Sequence, residues 1–335
     1  MRTNGVVESV VKAKVQSRYK PDRINLDRAI PMDTPLVIFL DPSSACNFRC
    51  KFCFHQNRGS SHTFMTEGVF SKCLSDLSQF PGKLKVIHFY AFGEPTLNPN
   101  FVSMLARLKS AQVSERVDFT TNGSRLNPDM NARIMGTGVN KIIISVGGLS
   151  DAKFLETCNA KINFDEYVKN IENLYNQRGD CIIHIKTTNG NVPQEYRERF
   201  FDIFGNICDE IFYENAVDIW HGAQYPSSGE TGIYQNEITH NEVCPYIFYQ
   251  MTVHSDGAVS SCFMDWEKLN MIGNVNETSL VDIWKGSTLH NLRINHLVGK
   301  KKGICVGCGQ LKYGSPDNID SHRAEIFHRI SRDVL

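Results

Sequence analysis

The chain lacks a net electric field, since Lys+Arg and Asp+Glu both total 36 in 335 residues. Without an excess of either sign, the surface as a whole does not recruit nucleic acid or an anionic membrane. Long apolar runs are missing as well. No stretch of about 18 apolar residues occurs, and Met1 to Lys20 mixes polar and charged residues where a secretory signal needs a continuous apolar segment. A cytoplasmic chain is expected, with a small-molecule substrate and neither a nucleic-acid nor a membrane partner. Internal repeats and low-complexity tracts are also lacking. The length suffices for one large α/β barrel, alone or with a small second module, and for a sizeable core.

Evenly spaced cysteines, the mark of a secreted disulfide framework, are lacking too. The 11 cysteines fall instead into clusters, which points to metal ligation in a reducing compartment. Cys46, Cys50 and Cys53 form one set, and Cys244, Cys262, Cys305 and Cys308 a second. The other four, Cys73, Cys158, Cys181 and Cys208, stand alone in predicted helices and strands, where a free cysteine is ordinarily a small buried hydrophobe.

Strand and helix patterns alternate from about residue 36 to residue 215. Predicted strands are Leu36–Leu40, Val86–Ala91, Arg116–Thr121, Lys141–Val146, Cys181–Thr188 and Glu210–Glu214. Helices are predicted at Phe101–Ser110 and at Phe164–Gln177, the latter with Tyr167, Val168, Ile171 and Leu174 at helical spacing. Six alternations imply a parallel sheet, open or curled into a partial barrel, with the chemistry carried by loops after the strands. The expected division is a lead-in at 1–34, a barrel at 35–220, a linker at 221–243, a cysteine-bearing unit at 244–312 and a tail at 313–335. Val253, Ile272, Val275, Leu280, Ile283 and Trp284 read as the small core of that unit.

The first cysteine set lies in the loop leaving the first strand, Asp41-Pro-Ser-Ser-Ala-Cys46-Asn-Phe-Arg-Cys50-Lys-Phe-Cys53. Three soft thiolates within eight residues suit one face of an iron–sulfur cubane and leave one metal open. Zinc is the alternative, but structural zinc sites generally take four protein ligands and no fourth follows in this loop.

This spacing, Cys-x3-Cys-x-aromatic-Cys with Phe52 in the aromatic place, resembles the signature of the radical S-adenosylmethionine superfamily. Gly93-Glu94-Pro95 resembles that family's Gly-Gly-Glu motif with Phe92 in place of the first glycine, and implies that Glu94 holds the methionine amino group. Thr120-Thr121-Asn122-Gly123 and Ser145-Val-Gly-Gly148 resemble the stretches that line the cofactor's ribose and carboxylate. The resemblance implies a 4Fe–4S cluster whose open iron binds S-adenosylmethionine, and a 5′-deoxyadenosyl radical as the reagent. It implies an α/β chain with a partial (β/α)6 barrel followed by a small α+β iron–sulfur domain. Strand alternation places His184, Lys186 and Thr188 on one face, making Lys186 a candidate for the methionine carboxylate and His184 for the substrate.

The second set, with Gly257 to Cys262, Gly273-Asn-Val and Cys305-Val-Gly-Cys308, resembles the SPASM extension of such enzymes. No cysteine follows Cys308, so the shorter twitch variant with one auxiliary 4Fe–4S cluster is expected, a four-cysteine zinc site being the alternative. The short lead-in favours a small molecule over a leader-bound peptide. Dehydrogenation of a carbinol carbon in a sugar, aminoglycoside or cyclitol is the expected reaction, and epimerisation or peptide modification the alternatives. Cys158 and Cys181 are the candidate hydrogen-atom donors for inversion. Tyr213, Asn215, Trp220 and His221 are candidates for a sugar-binding lip, and a flavodoxin or ferredoxin for the electron donor.

Metal content tests both cysteine sets. Anaerobically reconstituted protein is expected to hold about eight iron atoms as two cubanes. Changing Cys46, Cys50 and Cys53 together should halve the iron and abolish S-adenosylmethionine cleavage. One zinc with four irons in freshly purified protein would remove the auxiliary cluster.

Overall fold

The computed structural model describes residues 11–18, 23–56, 62–220, 231–238, 240–314 and 317–332. Short runs of branched and aromatic residues form ten strands: β1 (Lys14–Val15), β2 (Val37–Leu40), β3 (Leu84–His88), β4 (Ser114–Thr121), β5 (Lys141–Ser145), β6 (Ile182–Thr188), β7 (Glu210–Glu214), β8 (Gln250–Val253), β9 (Ala258–Ser260) and β10 (Met271–Asn274). They make one sheet in the order β1-β7-β6-β5-β4-β3-β2-β8-β9-β10. Pairs from β1 to β8 are parallel, while β8–β9 and β9–β10 are antiparallel. All six predicted strands are present, shifted by a few residues at their ends, and the helices Phe101–Ser110 and Phe164–Gln177 form as predicted. Helices cover the outer face, so β5 carries three consecutive isoleucines rather than an apolar–polar alternation.

Two parts of the expected division differ. The lead-in is tied to the barrel: β1 pairs with β7, Lys14 opposite Glu210, and closes that edge of the sheet. The cysteine-bearing unit is not hung on the barrel by a linker alone, because β8 continues the sheet alongside β2 from Val37–Gln250 to Leu40–Val253. A parallel neighbour needs a long crossover, and the intervening chain supplies it. Of the predicted linker, residues 221–230 and 239 lie outside the described residues. The junction is also bonded elsewhere. Leu280 N donates to the buried Asp76 carboxylate at 3.0 Å, and Trp284 Nε1 to Met32 O at 2.8 Å. One apolar core runs through both parts, from Ile38 and Phe89 to Val253, Leu280 and Trp284. The four lone cysteines are all buried. Among the described residues no helix is long and apolar enough to cross a membrane.

Inside the barrel, β5, β6 and β7 turn charged side chains toward one another. Glu210 accepts from His184 Nδ1 at 2.9 Å and also binds Lys141 Nζ. Burial alone would raise the Glu210 pKa, but these two partners bring it down to about 2. Burial holds His184 below its usual value. His184 is thus fully enclosed rather than presented to a substrate, and this corrects its predicted role.

Glu210→Gln leaves Lys141 and His184 without their anion, and a broken buried pair of this kind costs about 3–5 kcal/mol, readable by denaturant unfolding. In the parent, Glu210 contributes stability that is complete above its ordinary value of 4.5 and lost as pH falls toward 2. His184 adds a loss that starts below 6.5, where the unfolded chain takes up the proton first. The parent should therefore lose stability on acidification, and Glu210→Gln should flatten the lower part of that curve. A curve unchanged by the substitution would rule this account out.

Candidate active site

An irregular loop has no hydrogen-bond ladder of its own, so the Cys46–Cys53 segment is held by its neighbours. Arg49 N donates to Cys158 O at 2.7 Å and Lys51 N to Thr157 O at 3.0 Å, both in the last turn of the helix Asp151–Cys158 that follows β5. From the other side, Glu94 N donates to Ala45 O at 2.8 Å. The backbones meet so closely there that a Cβ on Gly93 would lie 2.3 Å from the carbonyl oxygens of both Ser43 and Ala45. Only glycine fits. The three cysteines are half-buried and near enough to influence one another, and burial pushes Cys46 up to about 12. Phe52 lies half-buried between Cys50 and Cys53.

Glu94 is buried at the mouth of the barrel, and its carboxylate is a junction. Oε1 accepts from Thr96 N (3.1 Å), Thr96 Oγ1 (2.6 Å) and Thr121 Oγ1 (2.7 Å), and Oε2 from Asn122 N (2.7 Å). Burial still outweighs these donors and raises its pKa. The bonds lock the loops after β3 and β4 together, with Pro95 opening the short turn that carries Thr96. Asn122 Nδ2 then reaches Asn47 Oδ1 at 2.9 Å, beside Cys46. Gly123, at φ +76°, makes room for the Tyr167 ring, whose hydroxyl donates to Asn122 O. Phe92 replaces the expected glycine for a tertiary reason: its ring stacks on His254 of the C-terminal unit, centroids 4.6 Å apart and planes 17° apart.

Several predicted residues sit differently. Ser145 and Lys186 are in register across β5 and β6, but Lys186 Nζ is bound to Glu214 at 2.7 Å, and burial lowers its pKa. Cys158 is completely buried, its thiol donating to Gly147 O at 3.7 Å and packed so tightly on Gly147 that a Cβ there would lie 2.4 Å from its sulfur. Cys181 lies at the opposite end of β6 from the cysteine loop, near Lys109, Arg178 and Asp209, so it faces away from the mouth. Tyr213 is buried, with its hydroxyl on Val192 O, and forms no lip. Asn215 is bound to Thr231 and Gly232. Trp220 packs on Phe54, next to Cys53, with centroids 4.8 Å apart, and His221 lies outside the described residues.

The barrel interior holds a cavity of about 450 Å³ that strand alternation alone did not single out. Phe39, Tyr90 and Phe263 line it, together with His88, Arg116, Asp118 and Lys141. His88 and Asp118 are register partners on β3 and β4, and His88 Nδ1 is bound to Asp118 Oδ1. Burial would raise Asp118, yet His88 and Arg116 bring its pKa below the usual value. Both residues sit at inward positions, which was the one sequence signal. Their meeting needed the register.

Cys244, Cys262, Cys305 and Cys308 surround one enclosed space with Met264, His296 and Gln310. Burial raises all four thiols, Cys305 to about 12, so their ionisation requires a cationic partner. Donors already point at the sulfurs: Met264 N to Cys262 at 3.4 Å and Asn270 Nδ2 to Cys305 at 3.2 Å. A soft four-sulfur set ringed by N–H groups fits an iron–sulfur cluster.

A parallel half-barrel with a three-cysteine loop at its mouth, and a closed four-cysteine pocket on the same sheet, defines an iron–sulfur barrel enzyme. Family models agree with this: the radical SAM superfamily matches residues 40–202, and an iron–sulfur cluster-binding domain, SPASM, matches residues 244–309. The chain belongs to the radical SAM superfamily, and therefore uses S-adenosylmethionine on a 4Fe–4S cluster with an auxiliary iron–sulfur centre. A Pyrococcus furiosus protein, the tungsten-containing aldehyde ferredoxin oxidoreductase cofactor-modifying protein, is 25% identical over 287 residues, which are 74% of this chain and 80% of that protein. Among solved structures, BtrN in complex with AdoMet and 2-DOIA matches with a TM-score of 0.54 at 20% identity, over 85% of this chain and 97% of its own. Streptococcus suis SuiB bound to precursor peptide SuiA matches with a TM-score of 0.63 at 14% identity, over 90% and 79%. At these identities the two structures share the fold.

Gly93→Ala should force the Cys46 loop away from the barrel. The expected outcome is folded protein, by circular dichroism, that retains about four iron atoms after reconstitution instead of about eight. Full iron content would show that the close approach does not position the cysteines.

Proposed function

We propose that the enzyme dehydrogenates a carbinol carbon of a small polyhydroxylated substrate, of the sugar, aminoglycoside or cyclitol type. In this reading Cys46, Cys50 and Cys53 hold the radical cluster, with Phe52, Gly93, Glu94, Pro95, Thr121, Asn122 and Ser145 around the cofactor, while Lys186 stays with Glu214. Cys244, Cys262, Cys305 and Cys308 hold one auxiliary 4Fe–4S cluster. The carrying observation is the Asp118–His88 pair in the barrel cavity.

Oxidising a carbinol to a carbonyl removes a hydrogen atom from carbon, a proton from oxygen and one further electron. The bound groups supply the redox part, a 5′-deoxyadenosyl radical for the hydrogen atom and an auxiliary cluster as electron acceptor. The proton is left to the protein. An ionised Asp118 keeps the hydrogen of His88 on Nδ1, so Nε2, which has no partner among the described residues, is the acceptor lone pair on the cavity side. The cavity volume falls in the ordinary range for small-molecule sites. Its aromatic faces suit the C–H face of a ring and its charged groups suit hydroxyls. Inversion instead needs a thiol in the cavity, and both predicted donors, Cys158 and Cys181, lie outside its lining. A second reading, a larger cofactor as substrate, draws on the name of the P. furiosus relative.

The reduced enzyme should be offered sugars, cyclitols, peptides and cofactors in deuterated water, with substrate-dependent 5′-deoxyadenosine as the first readout. The reading expects a product two mass units lighter with no deuterium on the carbon. His88→Ala should lower product formation by about 10²–10⁴-fold. A product of parental oxidation state with deuterium at an inverted carbon would establish epimerisation instead.

A further inference from the structure

His296 lies near the end of the helix Ser287–Leu297 and is 1% exposed. Neither Nδ1 nor Nε2 has a hydrogen-bond partner among the described residues. A buried donor left unmade costs about 1–3 kcal/mol, so a native imidazole with both nitrogens idle calls for a partner outside the protein chain. The space it faces identifies that partner. His296 lines the enclosed pocket with Cys244, Cys262, Cys305 and Cys308, while Met264 N and Asn270 Nδ2 already aim at two of the sulfurs. Gln310 Oε1, the other idle polar atom of the lining, is an acceptor and cannot serve a sulfur.

We propose that His296 donates an N–H···S hydrogen bond to the auxiliary cluster and raises the potential at which that cluster accepts an electron. The inference rests on the four cysteines holding an iron–sulfur cluster, and not on the identity of the substrate. Reduction adds one negative charge that spreads over the sulfurs, and a fixed N–H dipole stabilises the more negative state. No bond is made or broken. His296 is therefore a positioning residue, setting how readily the cluster takes up an electron.

The test uses full-length, anaerobically reconstituted protein in which Cys46, Cys50 and Cys53 are changed to alanine, so that only the auxiliary cluster is seen. Metal analysis comes first, and zinc in place of iron would overturn the cluster assignment itself. With iron present, His296→Phe should keep its iron and shift the cluster midpoint, followed by electron paramagnetic resonance, to lower potential. His296→Gln, which restores an N–H, should recover part of the shift. Where His296→Phe fails to load, the parent labelled with ¹⁵N-histidine decides, since the proposal requires a hyperfine coupling between the reduced cluster and one imidazole nitrogen. An unchanged midpoint with full iron, or no such coupling, would overturn the role of His296 while leaving the cluster in place.

Discussion

The structure depends on one constraint: three sulfurs in an eight-residue loop must face one point, and such a loop has no internal means of fixing them. Rigidity is supplied by contact. Gly93 lets two backbones touch where any side chain would separate them, and the buried carboxylate of Glu94 gathers four donors from two strand-exit loops. Asn122 carries the same network to Asn47, one residue from Cys46. A carboxylate with so many donors stays costly to bury, as its raised pKa records. Its charge is spent on geometry at the mouth of the barrel, where an anion also suits a bound ammonium group.

A second consequence concerns the relation of the two cysteine sets. β2 leads directly into the first set, and β8, hydrogen-bonded beside it, leads into the hairpin β8–β9 and Cys262. Stacking of Phe92 on His254 and of Phe54 on Trp266, centroids 5.1 Å apart, fills the gap between the two regions with rigid rings. Both sites thus belong to one sheet and one core, so their separation is fixed by backbone hydrogen bonds rather than by a linker. This keeps the distance between the two cysteine sets constant.

The barrel interior shows how burial and pairing divide the charged residues. Lys141, His184 and Glu210 neutralise one another deep inside, and Lys186 does the same with Glu214. His88 and Asp118 are paired too, in the lining of the cavity that Lys141 also borders. Similar residue types on adjacent inward positions thus neutralise one another in separate groups along the barrel interior.

By itself the sequence determined the strand and helix order, the two cysteine sets, the lone buried cysteines and the glycines of the motif. These are local features, set by side-chain periodicity and by ligand spacing along a short segment. Tertiary structure decided the rest. That His88 meets Asp118, that Lys186 is taken by Glu214, that Cys181 lies at the far end of its strand and Tyr213 inside the core, and that β8 extends the barrel sheet, all follow from inter-strand register and from contacts across more than 20 residues. Alternation along one strand says which residues share a face. It does not say what stands opposite them, because that is set by hydrogen bonds to another strand whose register no local pattern encodes.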